Sequence, residues 1–196
     1  QVAVLVVFAP AATGTHNATL TVNNTGTTAA LTIPLNGNTE TFATRINSGG
    51  NAFTTTDGKN FIADTYFTNS SGTFTTWLTT PIANTADDAL YQTLRSGYAN
   101  SLTYAIPVPQ AGYYTVKLHF AELQFAAVGQ RIFDVNIEGG NLELNDYDIY
   151  ADAGANSASV KTFSGIAVTD GVLTINFTAV VNAATVAAIE VIAEGG

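Results

Sequence analysis

Hydrophobic and polar residues alternate along several short segments of the chain. The clearest of these segments are residues 102–106, 114–120, 132–137, 173–177 and 186–192. A period of two residues places one face of a β-strand in a core and the other face in solvent. Glycines at turn positions separate the segments, and no segment shows a sustained helical period. The pattern predicts an all-β chain that folds as an antiparallel β-sandwich of the jelly-roll type.

The beginning of the chain predicts its own group of short strands, at residues 2–8, 18–22 and 31–35. Its motifs, Phe8-Ala9-Pro10 and Ile33-Pro34-Leu35-Asn36-Gly37, resemble the C-terminal half of Ig-like domains of the abnormal-spindle/hydin type. This resemblance implies a partial Ig-like segment over residues 1–41. A polar connection over 36–44 leads to a larger domain over 42–196, with the boundary near Phe42. The apolar strand at 2–8 is an aggregation hazard if exposed, so we expect it to be covered.

Composition and charge exclude several classes of partner. Six Lys and Arg against fifteen Asp and Glu give a formal net charge of -9, which argues against nucleic acid and anionic membranes. Membrane insertion is not expected, since no apolar run approaches the roughly 20 residues that span a bilayer. The absence of Cys excludes disulfides and Cys-based zinc sites. The Thr- and Asn-rich, Lys-poor composition is typical of a bacterial extracellular protein and predicts a secreted or cell-surface location.

Seven motifs in the larger domain follow one another in a recognisable order. They are RINSGG at 45–50, ADTYF at 63–67, DALYQT at 88–93, YAIPVP at 104–109, VKLHFAE at 116–122, QRIFDV at 130–135 and DIY at 148–150. Together they resemble the malectin family of carbohydrate-binding β-sandwich domains, whose fold is also galactose-binding-like. The resemblance covers roughly residues 45–192 and implies a glycan ligand.

The resemblance implies a glycan pocket formed by loops at one end of the sandwich, at positions Phe74, Ser96, Gln124, Phe125 and Asn182. Phe74 and Phe125 keep rings that can lie against the apolar face of a pyranose. The side chain of Asn182 can hydrogen-bond to sugar hydroxyls. Ser96 and Gln124 stand where the family has Tyr, and Asn182 stands where it has Asp. The disaccharide specificity of animal members is therefore not implied for this chain.

Four more aromatic residues are candidates for the same pocket, namely Tyr98, Tyr66, Phe67 and Trp77. Tyr98 lies two residues beyond Ser96 and could return a ring to the site. The alternative is that Tyr66, Phe67 and Trp77 serve core or loop packing, because aromatic residues are frequently buried. The sequence leaves both interpretations open.

Other motif residues are expected to serve the fold. Gly49 and Gly50 permit a tight turn, and the Tyr91 and Phe133 side chains are predicted to fill the core. Arg131 and Asp134 are predicted to pair at a strand edge. His119, in a strand beside Phe120, is expected at the edge of the core.

Catalysis and metal binding receive little support from the sequence. Candidate carboxylates exist by residue type alone, at Asp87, Asp88, Glu122, Asp134, Asp146, Asp148 and Asp152. Capping and solvated roles are the default, with Asp87 and Asp88 expected before a strand, Glu122 at a strand end and 146–148 in a loop. The two histidines, His16 and His119, fall in different domains, which argues against a Ser-His-Asp triad and a His-rich metal site. The spacing of 145–152 matches no EF-hand loop, so we expect a protein without catalytic residues, cofactor or metal.

Two hypotheses remain at this stage. The first is an extracellular carbohydrate-binding module, which stacks a glycan on Phe74 and Phe125 and adds hydrogen bonds from Ser96, Gln124 and Asn182. The second is a structural or adhesive subunit of a repetitive surface protein or extracellular fibre. In that case the strand at residues 2–8 would add to a sheet of a neighbouring copy.

Overall fold

The computed structural model describes residues 14–22, 30–39, 42–69, 72–75, 79–97 and 102–194. The strands are β1 Gly14–Val22, β2 Leu31–Thr39, β3 Ala43–Asn47, β4 Phe53–Thr54, β5 Asn60–Ala63, β6 Phe67–Thr68, β7 Gly72–Thr75, β8 Thr93–Gly97, β9 Leu102–Pro107, β10 Gly112–Ala121, β11 Ile132–Ile137, β12 Leu144–Tyr147, β13 Ala158–Val168, β14 Val172–Val181, β15 Ala184–Val186 and β16 Ala188–Ala193. Two short helices accompany them, α1 Asp88–Tyr91 and α2 Ile149–Ala153. Among these residues, no helix has the length and apolar character that crossing a membrane requires.

The chain divides into two compact units, Gln1–Phe42 with Gly195–Gly196, and Ala43–Glu194. In the first unit, β1 and β2 pair as an antiparallel hairpin, with Gly14 opposite Thr39 and Val22 opposite Leu31. The hairpin corrects the prediction of a polar connection at 36–44. The first four residues of that segment, 36–39, belong to β2 and pair with the start of β1. The predicted strand at residues 2–8 lies outside the described residues.

The described strands of the second unit form three sheets. A six-stranded sheet has the order β13-β10-β16-β3-β5-β4, and a five-stranded sheet has the order β12-β11-β14-β9-β6. A small third sheet, β15-β8-β7, carries two of the candidate site residues, Phe74 and Ser96. Their strand pairs are antiparallel except for β3 with β5, which is parallel. The prediction of an all-β, mainly antiparallel fold is confirmed.

Alternation along the strands produces the core, as the sequence pattern predicts. Leu102, Tyr104 and Ile106 of β9 are fully buried, while the residues between them are half-buried. Phe133 of β11 contacts the Phe120 ring of β10, with 5.8 Å between the ring centroids. Burial of each such side chain contributes roughly 1.5–3 kcal/mol. The predicted core positions of Phe133 and Tyr91 are confirmed.

Two segments that the sequence assigned to loops or strands carry the short helices instead. Asp146 and Tyr147 lie in β12 rather than in a loop, and Asp148 is the N-cap of α2. The Asp148 carboxylate accepts a hydrogen bond of 3.0 Å from the backbone N–H of Ala151, which satisfies a donor of the first helical turn. Asp88 begins α1 instead of leading directly into a strand. Periods of 3.6 residues cannot be read from helices this short.

A buried polar network joins α1 to the six-stranded sheet. The Tyr91 hydroxyl lies 2.8 Å from Nδ1 of His119, and Nε2 of His119 lies 3.1 Å from Oε1 of Glu190. The Arg45 Nε donates to Oε2 of the same carboxylate at 2.7 Å. His119 therefore lies at the edge of the core, as predicted, and links three elements through hydrogen bonds.

The network changes the titration of two of its members. Burial would raise the pKa of Glu190, but hydrogen bonds from His119 and Arg45 outweigh it and lower the pKa from 4.5 to about 2. Burial, with the Glu190 and Asp87 charges, raises the pKa of Tyr91 to about 12. The Tyr91 hydroxyl thus stays neutral at any physiological pH.

Gly49 forms the tight turn that follows β3. Its φ is +74°, and a Cβ added there would lie 2.3 Å from the backbone oxygen of Leu94. Its backbone N–H donates to Oδ2 of Asp64 at 2.6 Å. Because the obstructing atoms belong to the backbone of β8, they cannot move aside cheaply.

We expect Gly49→Ala to lower the free energy of unfolding by about 3 kcal/mol or more, since it combines a left-handed backbone with an overlap. Gly58→Ala is the matched control, because Gly58 also has a positive φ, of +85°, but no heavy atom lies within 4 Å of its added Cβ. In the control, the free energy of unfolding should fall by roughly 1–2 kcal/mol. Urea denaturation of both variants measures the difference, and equal losses would contradict the close approach to β8.

Glu190 should make the fold sensitive to acid. Because its pKa in the folded chain, about 2, lies below the ordinary 4.5, its contribution is complete above about pH 4.5 and is lost as the pH falls toward 2. We expect Glu190→Gln to lower the free energy of unfolding by on the order of 2 kcal/mol at pH 7. The variant should also lose less stability than the unchanged protein as the pH falls below about 4.5. Denaturation between pH 2.5 and 7 measures the slope. Glu194→Gln is the exposed control and should change the pH dependence of stability less. If Glu190→Gln kept the same loss of stability in acid as the unchanged protein, the role of Glu190 would be refuted.

Candidate functional site

A buried ion pair lies at the base of the loop that joins β10 to β11. Arg131 and Glu122 are 2% and 1% exposed, and Nε of Arg131 lies 2.6 Å from Oε2 of Glu122. The predicted pair of Arg131 with Asp134 is therefore wrong. Residues three apart in an extended chain point to opposite faces, so Arg131 faces inward and Asp134 outward. Asp134 instead accepts a hydrogen bond of 2.8 Å from the backbone N–H of Asp146.

The ion pair fixes two of the candidate residues. Oε1 of Glu122 accepts hydrogen bonds from the backbone N–H groups of Gln124, at 3.0 Å, and Phe125, at 3.1 Å. Nη2 of Arg131 donates to Oε1 of Gln124 at 2.8 Å, and its Cζ lies 4.9 Å from the centroid of the Phe125 ring. Phe125 is half-buried and Gln124 is exposed. Gln124 and Phe125 are thus held by contacts to Glu122 and Arg131, which cannot shift without breaking their buried ion pair.

The same arginine reaches the segment that carries Asn182. Nη1 of Arg131 donates a hydrogen bond to the backbone oxygen of Ala183. Asn182 is exposed, with φ +57°, a conformation that Asn adopts more readily than most residues. Its Nδ2 donates to the backbone oxygen of Gln130 at 2.6 Å. The loops at 122–131 and 182–183 are therefore joined at two points.

Ser96 lies on the third sheet, beside the same segment. It pairs with Thr185 of β15 on one side and with Gly72 of β7 on the other. Its Oγ donates to the backbone oxygen of Gly72 at 3.3 Å. β15 begins two residues after Asn182, so the strand pairing brings Ser96 into the same region as the loops. We name Ser96, Glu122, Gln124, Phe125, Arg131 and Asn182 the Arg131 site.

The remaining candidates are placed less completely. For Phe74 the structure describes the backbone, which pairs with Leu94 between β7 and β8. Tyr98 and Trp77 lie outside the described residues. Tyr66 and Phe67 are 41% and 38% exposed, so neither is a fully buried core residue. Phe67 also packs edge to face against Tyr104, with 6.4 Å between the ring centroids, as the loop-packing interpretation expects.

The exposed groups of the Arg131 site can make stacking and hydrogen-bonding contacts with a ligand. The Phe125 ring offers a partly exposed apolar surface, and Glu122 and Arg131 neutralise each other. Among the described residues, the hydrogen bonds above leave Nε2 of Gln124 as a donor and Oδ1 of Asn182 as an acceptor for a ligand. A stacking surface flanked by neutral hydrogen-bonding groups suits a polyhydroxylated ring.

Six of the seven candidate carboxylates, all but Asp88, have structural contacts in the described residues. Glu122 is saturated by Arg131 and two backbone N–H groups, and Asp87 accepts from the backbone N–H of Thr56 at 2.7 Å. Asp152 accepts from Tyr147, Ser159 and Lys161. Within the described ranges, no group of three His, Cys, Asp or Glu side chains could hold a metal ion. These contacts give Glu122, Asp87 and Asp152 roles in the fold.

Comparison with known proteins places the chain in a family. The family model described as the malectin domain matches residues 42–195. Malectin-B of Xenopus laevis is 37% identical over 76 residues, which are 39% of this chain and 27% of that protein. Human malectin is 31% identical over 115 residues, covering 58% of this chain and 39% of malectin. The chain thus spans well under half the length of these curated relatives.

Solved structures share the fold at low sequence identity. The β-glucuronidase 2 of Bacteroides uniformis superposes with a TM-score of 0.66 at 20% identity, covering 89% of this chain and 22% of the enzyme. The extracellular domain of ANXUR2 from Arabidopsis thaliana gives a TM-score of 0.64 at 20% identity, covering 78% of this chain and 48% of the other.

These comparisons limit two expectations from the sequence. They give no support to the Ig-like resemblance of residues 1–41, which stays a prediction. The curated relatives named above come from a frog and from humans, so a bacterial origin also stays a prediction. Because the malectin model covers residues 42–195, most of the chain, the protein belongs to the malectin domain family.

Proposed function

We propose that the protein is a non-catalytic, extracellular carbohydrate-binding module that holds a glycan at the Arg131 site. The observation that carries this proposal is the buried Glu122–Arg131 ion pair, which fixes both Gln124 and Phe125. Preorganised groups lose less entropy when a ligand binds, so a small site can still be selective. Membership of the malectin family supports the ligand class.

The ligand differs from that of animal malectins in what it contacts. Ser96 and Gln124 replace two stacking rings, and Asn182 replaces a carboxylate, so the site offers less ring surface and no charge-assisted acceptor at that position. Stacking on Phe125, and on Phe74 where β7 pairs with β8, contributes about 0.5–1.5 kcal/mol for each ring. Affinity is then weak at one site and increases when several copies engage a repetitive polysaccharide.

A glycan array with the purified chain tests the proposal. We expect binding to a limited set of glycans and a loss of roughly 3–10-fold in affinity for Phe125→Ala and for Phe74→Ala, as one stacked ring is removed. Asn182→Ala should weaken the same glycans. Tyr113→Ala is the matched control, because Tyr113 is 62% exposed and belongs to β10. A blank array from a folded protein, or equal losses in the control, would refute the Arg131 site.

A second candidate function, a subunit of a fibre or adhesive surface protein, is favoured by one feature of the sandwich. β13 is 11 residues long and lies at the edge of the six-stranded sheet, where β10 is its pairing partner among the described strands. An edge of that length can accept an added strand, and residues 2–8 have the apolar composition to supply one.

If copies assemble in this way, deletion of residues 1–40 should shift the chain from oligomers to monomers. The deletion leaves the compact unit Ala43–Glu194 intact. Sedimentation velocity of both forms at several concentrations measures the balance. A distribution that the deletion does not change would argue against assembly through this strand.

A further inference from the structure

Tyr66 and Phe67 form a pair of exposed rings outside the Arg131 site. Their exposed fractions are 41% and 38%, whereas most large aromatic side chains of the described sandwich are buried. Phe67 begins β6 and pairs with Tyr104 of β9. The feature that calls for an explanation is why two neighbouring rings are held at the surface.

Phe67 rests on a guanidinium that a buried carboxylate fixes. Cζ of Arg95 lies 3.4 Å from the centroid of the Phe67 ring, and Nε of Arg95 pairs with Oδ2 of Asp64. Asp64 also accepts from the Tyr104 hydroxyl at 2.9 Å and from the backbone N–H of Gly49 at 2.6 Å. The Arg95 and Asp64 side chains are 11% and 6% exposed. The support of the ring is therefore rigid and electrically neutral.

The Phe67 ring is supported in the same way as the Phe125 ring. In both places an aromatic ring lies against an arginine, the arginine pairs with a buried carboxylate, and that carboxylate accepts backbone N–H groups. Arg95 and Ser96 are neighbours in β8 and so point to opposite faces of that strand. The Phe67 ring thus approaches β8 from the face opposite to the one that carries Ser96.

Tyr66 adds a backbone signal. Its φ is +65°, and within the described residues it is the one aromatic residue with a positive φ. Such a conformation costs on the order of 1 kcal/mol for a residue with a large side chain and is concentrated at functional positions. A glycine would remove the strain, and the structural contact at this position, a hydrogen bond of 2.9 Å from the backbone N–H of Ala105 to the carbonyl oxygen of Tyr66, needs no tyrosine side chain.

The exposed area indicates the kind of ligand. An aromatic side chain has roughly 200 Å² of surface, so exposed fractions of 41% and 38% amount to roughly 150 Å². A stable protein partner needs about 800 Å² on each side. One or two sugar rings need far less, and the neutral support offers no net charge to an ionic ligand.

We propose that Tyr66 and Phe67 form a second carbohydrate-stacking platform, separate from the Arg131 site. The ligand class, neutral hexose or pentose units of a glycan, rests on the proposed function, whereas the residues of the platform do not. Two sites on one domain would bind a polysaccharide more tightly than either site alone, through effective concentration.

Titrations followed by ¹H–¹⁵N correlation spectra test the platform directly. The probes are maltotetraose, cellotetraose, laminaritetraose, xylotetraose and mannotetraose. Amides of residues 66–68 and 103–105 report on the platform, and amides of 122–131 and 182–186 report on the Arg131 site. We expect at least one probe to shift the first set, with an apparent Kd that rises roughly 3–10-fold in Tyr66→Ala. Phe125→Ala should leave that Kd unchanged.

Three further variants keep the result interpretable. Phe67→Leu keeps an apolar contact for Arg95 but removes the ring, and should weaken the same probe. Tyr66→Gly should raise the melting temperature above that of Tyr66→Ala and still lose binding, which separates strain from a loss of folding. Tyr113→Ala, at a position that is 62% exposed, is the aromatic control and should change neither set.

The possible outcomes separate this inference from the proposed function. Shifts confined to the Arg131 site, or platform shifts that persist in Tyr66→Ala, would overturn the platform and leave the proposed function standing. Shifts confined to the platform would support it and overturn the assignment of the Arg131 site. If no amide of either set shifted with any probe, the platform would be overturned. If the glycan array were also blank, carbohydrate binding itself would be overturned.

Discussion

The Glu122–Arg131 ion pair is the constraint on which the arrangement of the candidate site depends. Two charges removed from water are tolerated when their mutual attraction and further hydrogen bonds compensate for the lost hydration. Here the further partners are the backbone N–H groups of Gln124 and Phe125, and the backbone oxygen of Ala183. Any other conformation of the loop would leave a buried charge incompletely paired, at a cost of several kcal/mol. The buried, charged contacts at the base of the loop therefore disfavour its other conformations.

The chain uses its few arginines in this way throughout. The sequence contains three, at positions 45, 95 and 131, and each pairs with a carboxylate whose side chain is no more than 6% exposed. Pairing removes equal numbers of positive and negative charges, so the formal net charge of -9 remains with the other titratable residues. The surface is thus more acidic in proportion than the composition suggests. Electrostatic repulsion disfavours polyanionic ligands at such a surface, whereas neutral glycans are unaffected.

Prediction from sequence succeeds here where the signal is periodic and fails where it depends on long-range pairing. Burial of Leu102, Tyr104 and Ile106 follows from alternation within one strand, so the core strands are recovered. The partner of Arg131 is nine residues away across a loop, and an expectation based on its nearest acidic neighbour within the motif, Asp134, is wrong. One sequence signal could have indicated the true pair: Glu122 and Arg131 each adjoin a core strand in a chain that has few charges. Helices of four and five residues lie below the length at which a helical period can be read.

The three arginine–carboxylate ion pairs differ in what lies against the arginine. Arg45 and Glu190 join β3 to β16 and to His119, and their role is to connect strands within a sheet. Arg95 and Arg131 each carry an aromatic ring that remains partly exposed. If the Arg95 and Arg131 ion pairs served the fold alone, an aliphatic side chain over each guanidinium would shield it from water as well as an aromatic ring does. The aliphatic side chain would also expose a less polarisable surface than the ring. A planar ring adds a face that can stack against sugar C–H groups, and a neutral, rigid base keeps that face in one orientation. The repetition of this construction beneath Phe67 and Phe125 therefore favours the proposed ligand binding over packing as the reason for both rings.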